Sequence, residues 1–440
     1  MTLEKFLILF ISKLKNKNIQ CCILRNYEGL PFKNNSNDID FLILPEDLSK
    51  ALKILFNLDG IRATGLIERP YVTSVFLNNV QWRNNTNSIQ IDLVVMLSWK
   101  GLPFLSVPSV LSNAIPISGT KQLLKKPIPV HEAIISLFSS YLLGGWINEK
   151  YQNKVRIIFN NNKQAVLIAL SSFLPKTLCF LILEGVISDN KNFLLGKLPE
   201  IRRSLILNNF KNKPLFSLKA MLRHFYIELK IRYTPYYIDT VCFLGTDGSG
   251  KSTVISCITA MLKGTTKEIK YKHLKPQLFK KGEVSKVVTA PHAKPPRSKF
   301  ISTIKIISWL FLYWQDRFFH KHKSLTLRIW DRYYHDLLID PLRYRYGAPM
   351  EIAHFLAKLV PKPDLFILLD APTKVLQNRK QEVPFKETKR QRKAYLSLIG
   401  NMKNAVIIDT SQKLENVATD VYDEIINFLV SRAAKRMSER

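Results

Sequence analysis

The apolar run Val241, Cys242, Phe243 and Leu244 leads straight into GTDGSGKST at residues 245–253. Such a run, broken by a glycine-rich loop and followed by helix-forming residues, demands a strand, a tight turn and a helix in one α/β layer. Gly245, Gly248 and Gly250 permit positive φ and a close backbone approach to a ligand. The N–H groups of the loop, Ser249 and Thr253 included, form a nest at a helix N-terminus, where the dipole favours an anion. Lys251 has the reach to meet β- and γ-phosphates, and the Ser252 hydroxyl suits Mg²⁺. Motif and context together argue against a chance glycine loop. They predict a handler of nucleoside triphosphate, ATP with Mg²⁺, and leave the phosphorylated partner open.

A chain of 440 residues predicts two or three domains, and 46% hydrophobic content supports sizeable cores. Net charge is +32, from 66 basic and 34 acidic residues. That balance favours anionic partners: nucleotides, nucleic acid, anionic glycans or a membrane surface. The lysines are spread along the chain, so solvation of the surface accounts for them equally well. Cys21, Cys22, Cys179, Cys242 and Cys257 show no C-x-x-C or metal spacing, which fits a reducing, cytoplasmic setting. Residues 6–11 are apolar, but Glu4 and Lys5 precede them and no small-residue cleavage site follows, so no signal peptide is expected. Residues 301–314 are very apolar, yet Lys305 interrupts them and the run is too short to span a bilayer. A buried helix is expected there, and a basic amphipathic segment in weak contact with a membrane surface is the alternative. A homodimer is left open.

Three regions are expected: 1–128, 129–235 and 236–440. In the first, residues 3–14 have helical apolar spacing, 21–24, 41–44 and 89–96 read as strands, and a helix runs from 45 toward Leu58. The second reads as helical throughout, notably 131–143, 163–174 and 215–231, with Pro235 as a linker. It carries GGWINEKY at 144–151 but no chemistry of its own, and it is expected to pack as an extension of the first region. In the third, strands at 237–244, 268–273, 325–330, 364–369 and 405–408 alternate with helices, and a last helix covers 414–429. That alternation predicts a doubly wound parallel sheet. Ligands bind such sheets outside the carboxyl ends of the strands, where Asp331, Asp370 and Asp409 fall.

Asp331 at a strand end is placed to hold Mg²⁺ directly or through water. Arg332 beside it suits bidentate phosphate contact, a surface salt bridge being the plainer reading. Asp247 inside the glycine loop is either a turn residue or a carboxylate that positions an acceptor hydroxyl or acts as base. The segment RKQEVPFKETKRQR at 379–392 reads as a lid over transferring phosphate or as an exposed charged helix. Its candidates are Arg379, Lys380, Arg390 and Arg392.

Together these residues resemble the thymidylate kinase family of nucleoside monophosphate kinases over about 200 residues from Tyr237 onward. The matching parts are GTDGSGKST, WDRYYHD, PDLFILLDAP, the basic lid and VIIDTSQ. The resemblance implies that Asp331 and Arg332 lie at the phosphates, that Asp247 faces the acceptor, and that 409–412 lies near adenine. The family's T-R-E-P-type segment is replaced here by KHLKP at 272–276, where Lys275 would stand in for the arginine and the acidic residue is missing. Residues 276–324 are long and basic, with PHAKPPRSK at 291–299. DRYYHDLLIDPLRYRYG and RKQEVPF look like a thymidylate kinase-like subgroup of bacterial polysaccharide gene clusters, which implies a sugar or glycan phosphate as acceptor. Arg343, Arg345 and His335 are then candidates for the acceptor site, with packing as the default for each. A true thymidylate kinase is the second reading. A nucleotide-dependent switch or nucleic-acid-binding protein is the third.

In the first region, SNDIDFL at 36–42 puts Asp38 and Asp40 on one face of a strand, and IQIDLV at 89–94 supplies Asp92. Three ionised carboxylates on neighbouring strands call for a divalent cation. An exposed carboxylate pair at a turn is the plainer account. The pattern resembles the nucleotidyltransferase fold over about 110 residues, except that LRNYEGLP at 24–31 offers Arg25, Asn26 and Gly29 where that fold has Gly-Ser.

Overall fold

The computed structural model describes residues 1–33, 36, 38–83, 86–120, 123–233, 237–274, 295–319, 324–381 and 383–440. The linker expected at Pro235, the phosphate contact expected of Lys275 and the basic stretch 291–294 lie outside them. The chain packs as two units, Met1–Lys230 with Arg436–Arg440, and Ile231–Lys435. The helical stretch after residue 129 belongs to the first unit.

The first unit opens with α1 (Leu3–Asn16), β1 (Cys21–Ile23) and β2 (Asp38–Ile43). Next come α2 (Leu48–Phe56), β3 (Arg62–Arg69), β4 (Val72–Arg83) and β5 (Thr86–Val94). The sheet order is β1-β2-β5-β4-β3, with β2 and β5 parallel and the other pairs antiparallel. Two short hairpins follow, β6 (Leu97–Trp99) with β7 (Leu102–Leu105), and β8 (Ile115–Pro116) with β9 (Lys125–Lys126), with α3 (Val107–Ser112) between them. The helices are α4 (Pro129–Tyr141), α5 (Glu149–Asn161), α6 (Lys163–Ser171), α7 (Lys176–Ile187), α8 (Lys191–Asn212) and α9 (Pro214–Tyr233). Alternation decides what each strand face meets. Ile39, Phe41, Ile43, Ile89, Ile91 and Leu93 join the core of α1 and α2. Leu42 and Val94, on the opposite face, join the core built from α4 to α8. Asp38, Asp40, Gln90 and Asp92 share that second face by register.

The second unit holds a five-stranded, wholly parallel sheet. Its strands are β10 (Ile238–Leu244), β11 (Glu268–His273), β12 (Thr326–Asp331), β13 (Leu365–Asp370) and β14 (Ala405–Asp409), in the order β11-β12-β10-β13-β14. The helices are α10 (Lys251–Met261), α11 (Lys299–Phe319), α12 (Asp336–Ile339), α13 (Met350–Leu359), α14 (Thr373–Arg379), α15 (Phe385–Gly400) and α16 (Leu414–Ser438). Strand residues Val241, Phe243, Ile329, Ile367 and Leu369 pack with Ile255 and Ile258 of α10 and Val421 and Ile425 of α16. Cys242, Leu244, Trp330, Phe366 and Leu368 face the other way, toward Trp309 and Tyr313 of α11, Ala353 of α13 and Tyr395 of α15. Near-continuous apolar strands follow from burial on both faces. Central β10 is buried at every position.

The expectation of a buried helix over 301–314 needs correction. Helix α11 forms there, but only one side is covered, through Ser302, Ile306, Trp309, Tyr313 and Asp316. Phe300, Ile304, Ile307 and Phe311 are each at least half exposed. The helix is a layer on one sheet face, so its outer side has nothing to pack on among the described residues.

Candidate active site

Strand β10 delivers the glycine loop to the carboxyl edge of the parallel sheet. Gly248 has φ +84°, and a Cβ there would lie 2.6 Å from the Leu376 carbonyl oxygen, so a side chain is barred twice over. Gly250 has φ +82° and open space around it, and it stands as the residue before α10. The first turn of α10 is Lys251, Ser252 and Thr253; Lys251 is buried, and the Ser252 and Thr253 side chains are exposed. An exposed hydroxyl beside a left-handed glycine suits ligand contact at a helix N-terminus.

The Lys251 ammonium donates to the carbonyls of Gly245 (2.8 Å) and Thr246 (2.9 Å) and lies 3.4 Å from the Ser249 hydroxyl. Burial pushes this ammonium down to about 8, Arg332 adds to that, and Asp247, Asp331 and Asp336 only partly offset it. Triphosphate charge at this loop would restore full protonation, so binding of ATP there above this pH would take up a proton. The ATP Kd is therefore expected to rise by up to about tenfold per pH unit above pH 8. Isothermal titration calorimetry in buffers of different ionisation heat reads both the slope and the proton. A flat Kd up to pH 10 would show that Lys251 meets no phosphate charge.

Asp331 ends β12 opposite Phe243. One carboxylate oxygen accepts from the Tyr271 hydroxyl (3.1 Å) and lies 3.5 Å from His273 Nδ1. Its other oxygen, Oδ1, is buried with no hydrogen-bond partner among the described residues. Burial would raise this carboxyl, but His273, Lys251 and Arg332 outweigh it and hold Asp331 below the usual carboxylate range. A buried, ionised oxygen without a partner is what a cation or its water shell would satisfy. Asp331 is therefore a residue that would fit a cation such as Mg²⁺.

Arg332 follows with φ 68°, a left-handed backbone rare outside glycine, asparagine and aspartate. Its N–H donates to the Phe243 carbonyl (3.0 Å), which fixes the turn against β10. The guanidinium bridges two carboxylates, Asp247 Oδ1 at 2.5 Å and Asp336 Oδ2 at 2.6 Å. Asp336 has no exposed surface and also accepts from the hydroxyls of Tyr344 and Tyr395. Burial alone would neutralise it; Arg332 and the two tyrosines hold it below the usual range. Asp336, Tyr344 and Tyr395 were not singled out in the sequence. Asp336 sits four residues after Arg332 within WDRYYHD, and that acid–base spacing is the signal the sequence offers.

Asp247 needs a correction. Both of its oxygens are taken, one by Arg332 and one by Arg343. A carboxylate bound by two arginines is a poor base, and it does not stand free toward an acceptor. Arg343, expected at the acceptor site, pairs with Asp247 of the glycine loop. His335 is corrected too: it is buried against Tyr333 and Phe366, and burial, helped by Lys362, pushes it down to about 4, so it is a neutral core residue. Arg345 donates to the Pro295 carbonyl at 3.0 Å, a structural contact.

The basic segment runs from Arg379, the last residue of α14, into the first half of α15. Arg390 is held by Glu387 at 2.7 Å and by the Ile339 carbonyl at 2.8 Å, so its expected catalytic role gives way to a structural one. Arg392 makes a bidentate pair with Asp370, with bonds of 2.8 and 2.9 Å, at the end of the strand beside β10. Arg379 closes α14 and lies near enough to Asp409 to lower that carboxyl, behind the effect of the Ser411 backbone and side chain.

In the first unit, Asp40 and Asp92 stand opposite each other on β2 and β5, and Asp38 stands opposite Gln90. The shared face is as expected, but the cation is not. Asp40 pairs with Arg25 at 2.7 Å, Asp92 accepts from Gln90 at 2.7 Å, and Asp38 accepts from Ser36 at 2.5 Å. Among the described residues no three His, Cys, Asp or Glu side chains are gathered to hold a metal ion. Arg25 supplies the positive charge instead. Burial, with smaller contributions from Asp40 and Asp38, pushes the Asp92 carboxyl up against the opposing Gln90 bond. Asn26, with φ 59°, accepts from Tyr151 at 2.7 Å and from Lys150. The stretch 144–151, read as carrying no chemistry, thus sends two side chains to the loop that follows β1.

No protein-family model matches this chain, and no curated protein matches it. Among solved structures, a thymidylate kinase from Candida albicans is similar over 43% of this chain and 91% of its own length, with 16% identity and a TM-score of 0.30. No helix among the described residues is long and apolar enough to cross a membrane.

Proposed function

We propose that residues 231–435 form an ATP-dependent small-molecule kinase. The observation that carries this reading is the link between two strand ends. Arg332, after β12, reaches Asp247 inside the glycine loop after β10 at 2.5 Å, next to the buried ammonium of Lys251 and the ionised Asp331. Loop N–H groups and the N-terminus of α10 bind the donor phosphates, and Lys251 turns from the loop carbonyls to their oxygens. Bound at Ser252 and Asp331, Mg²⁺ would neutralise charge across the β- and γ-phosphates. Arg332 and Arg343 hold the acceptor, a nucleoside monophosphate or a sugar or glycan phosphate. An ionised phosphate oxygen of the acceptor attacks the γ-phosphorus. The bond from that phosphorus to the bridging oxygen breaks, and ADP leaves. The attacking oxygen carries no proton, so no general base is required, which agrees with the engagement of Asp247.

The test is phosphoryl transfer by the full chain with ATP and Mg²⁺ to a panel of nucleoside monophosphates and sugar phosphates. At least one acceptor is expected to yield product. Arg343→Ala is then expected to raise the acceptor KM by about tenfold or more with a smaller change in kcat, since a charge-assisted phosphate contact contributes about 1.5–3 kcal/mol. Turnover with thymidine monophosphate alone would mark a thymidylate kinase. ATP binding without transfer to any acceptor would replace the kinase reading by a nucleotide-dependent switch.

A further inference from the structure

Helix α9 has two apolar faces, and only one is used. Ser217, Ala220 and Ile227 are buried, and Ala220 and Met221 join the cores of the first unit. The Ala220 carbonyl accepts from the Tyr71 hydroxyl, and the backbone there lies so close that a Cβ on Gly101 would meet that oxygen at 2.6 Å. This face is firmly seated. At 100° per residue, Leu215, Leu218, Leu222, Phe225, Tyr226 and Leu229 fall on the opposite face. Their exposures run from 41% for Phe225 to 83% for Leu215. Six large apolar side chains in one stripe exceed what a surface usually tolerates without a partner.

The charges around the stripe identify the occupant. Lys219 borders it, and Lys211 and Lys213 lead into it from the end of α8; all three are exposed and have no ion-pair partner among the described residues. The whole chain carries +32. A second copy would bring the same lysines against these, whereas an anionic bilayer brings opposite charge to the cations and an apolar layer to the stripe. No described helix is long and apolar enough to span, so the helix would lie in the interface plane. The outer face of α11 lacks this setting, because its one internal lysine, Lys305, is bonded to the Tyr344 carbonyl.

We propose that α9 docks this protein on the surface of anionic membranes, with the Leu215–Leu229 stripe in the acyl boundary and Lys211, Lys213 and Lys219 at the headgroups. Co-sedimentation of the full chain with phosphatidylcholine vesicles, with and without about 30 mol% phosphatidylglycerol, tests it. Binding to the anionic vesicles alone is expected, weakened by high salt. The uncharged variant Leu218→Ser with Leu222→Ser should lose binding by about fivefold or more. Lys213→Gln with Lys219→Gln should lose it comparably. Phe311→Ser on α11 should leave it intact, and thermal melting confirms that each variant folds. Absent binding of the wild-type chain, undiminished binding of the stripe variant, or loss only in the α11 variant would overturn the proposal. So would a wild-type dimer that the stripe variant converts to monomer in the absence of vesicles.

Discussion

Lys251→Ala is expected to lower ATP turnover by about 10²–10³-fold or more, the scale seen when a single charge-stabilising donor is removed from a transition state. The melting temperature should hold or rise. Burial already works against this ammonium, pushing it down to about 8, so the ligand-free fold gains little from its charge. Between that pH and the ordinary lysine range the unfolded chain binds the extra proton, so the wild-type fold gains stability as pH rises, and the alanine variant should lack that slope. Steady-state assays with calorimetric melts at pH 7.5 and 9.5 separate the two effects. Retained turnover in a folded Lys251→Ala chain would remove the kinase reading.

Asp336→Ala is expected to produce the largest loss of stability. The carboxylate has no exposed surface and holds Arg332, Tyr344 and Tyr395 together. Deleting it leaves a buried guanidinium short of a counter-charge and two phenolic hydroxyls without an acceptor. Breaking a buried pair in this way costs about 3–5 kcal/mol. Asp336→Asn keeps the shape and one acceptor oxygen, so it should lose roughly half as much. Differential scanning calorimetry of the full chain reads both, with the transition of the second unit moving and that of the first unit staying. Equal, small shifts in the two variants would show that the network contributes no more than an ordinary surface contact.

Much of the glycine-loop end of this site is legible in the sequence, because its geometry is local. A glycine loop between an apolar strand and a helix fixes Lys251, Ser252 and Thr253 within a few residues of one another, and strand ends fix Asp331. The partners are not legible, because they come from far along the chain. Tyr395 lies 59 residues from Asp336, Arg343 lies 96 from Asp247, and Tyr151 lies 125 from Asn26. Strand alternation placed Asp38, Asp40 and Asp92 on one face, yet it said nothing of Arg25 turning onto Asp40. The hairpin of β3 and β4 was missed because Thr, Ser, Asn and Arg break its apolar alternation, while Tyr71, with φ 64°, makes the turn. Charge density alone suggests a lid at 379–392, yet two of its guanidinium groups, Arg390 and Arg392, are paired with Glu387 and Asp370.

The double hold of Arg332 and Arg343 on Asp247 has a consequence for selectivity. Two guanidinium groups that already share a resident carboxylate offer a newcomer only the difference between its grip and that of the resident. A monoanion such as chloride or acetate gains almost nothing from the exchange. A dianionic phosphomonoester, with three oxygens to spread over two planar forks, gains the most. For the acceptor proposed above, the loop aspartate would set a threshold: it would lower affinity for every anion and filter them by valence before any part of the acceptor beyond its phosphate is read.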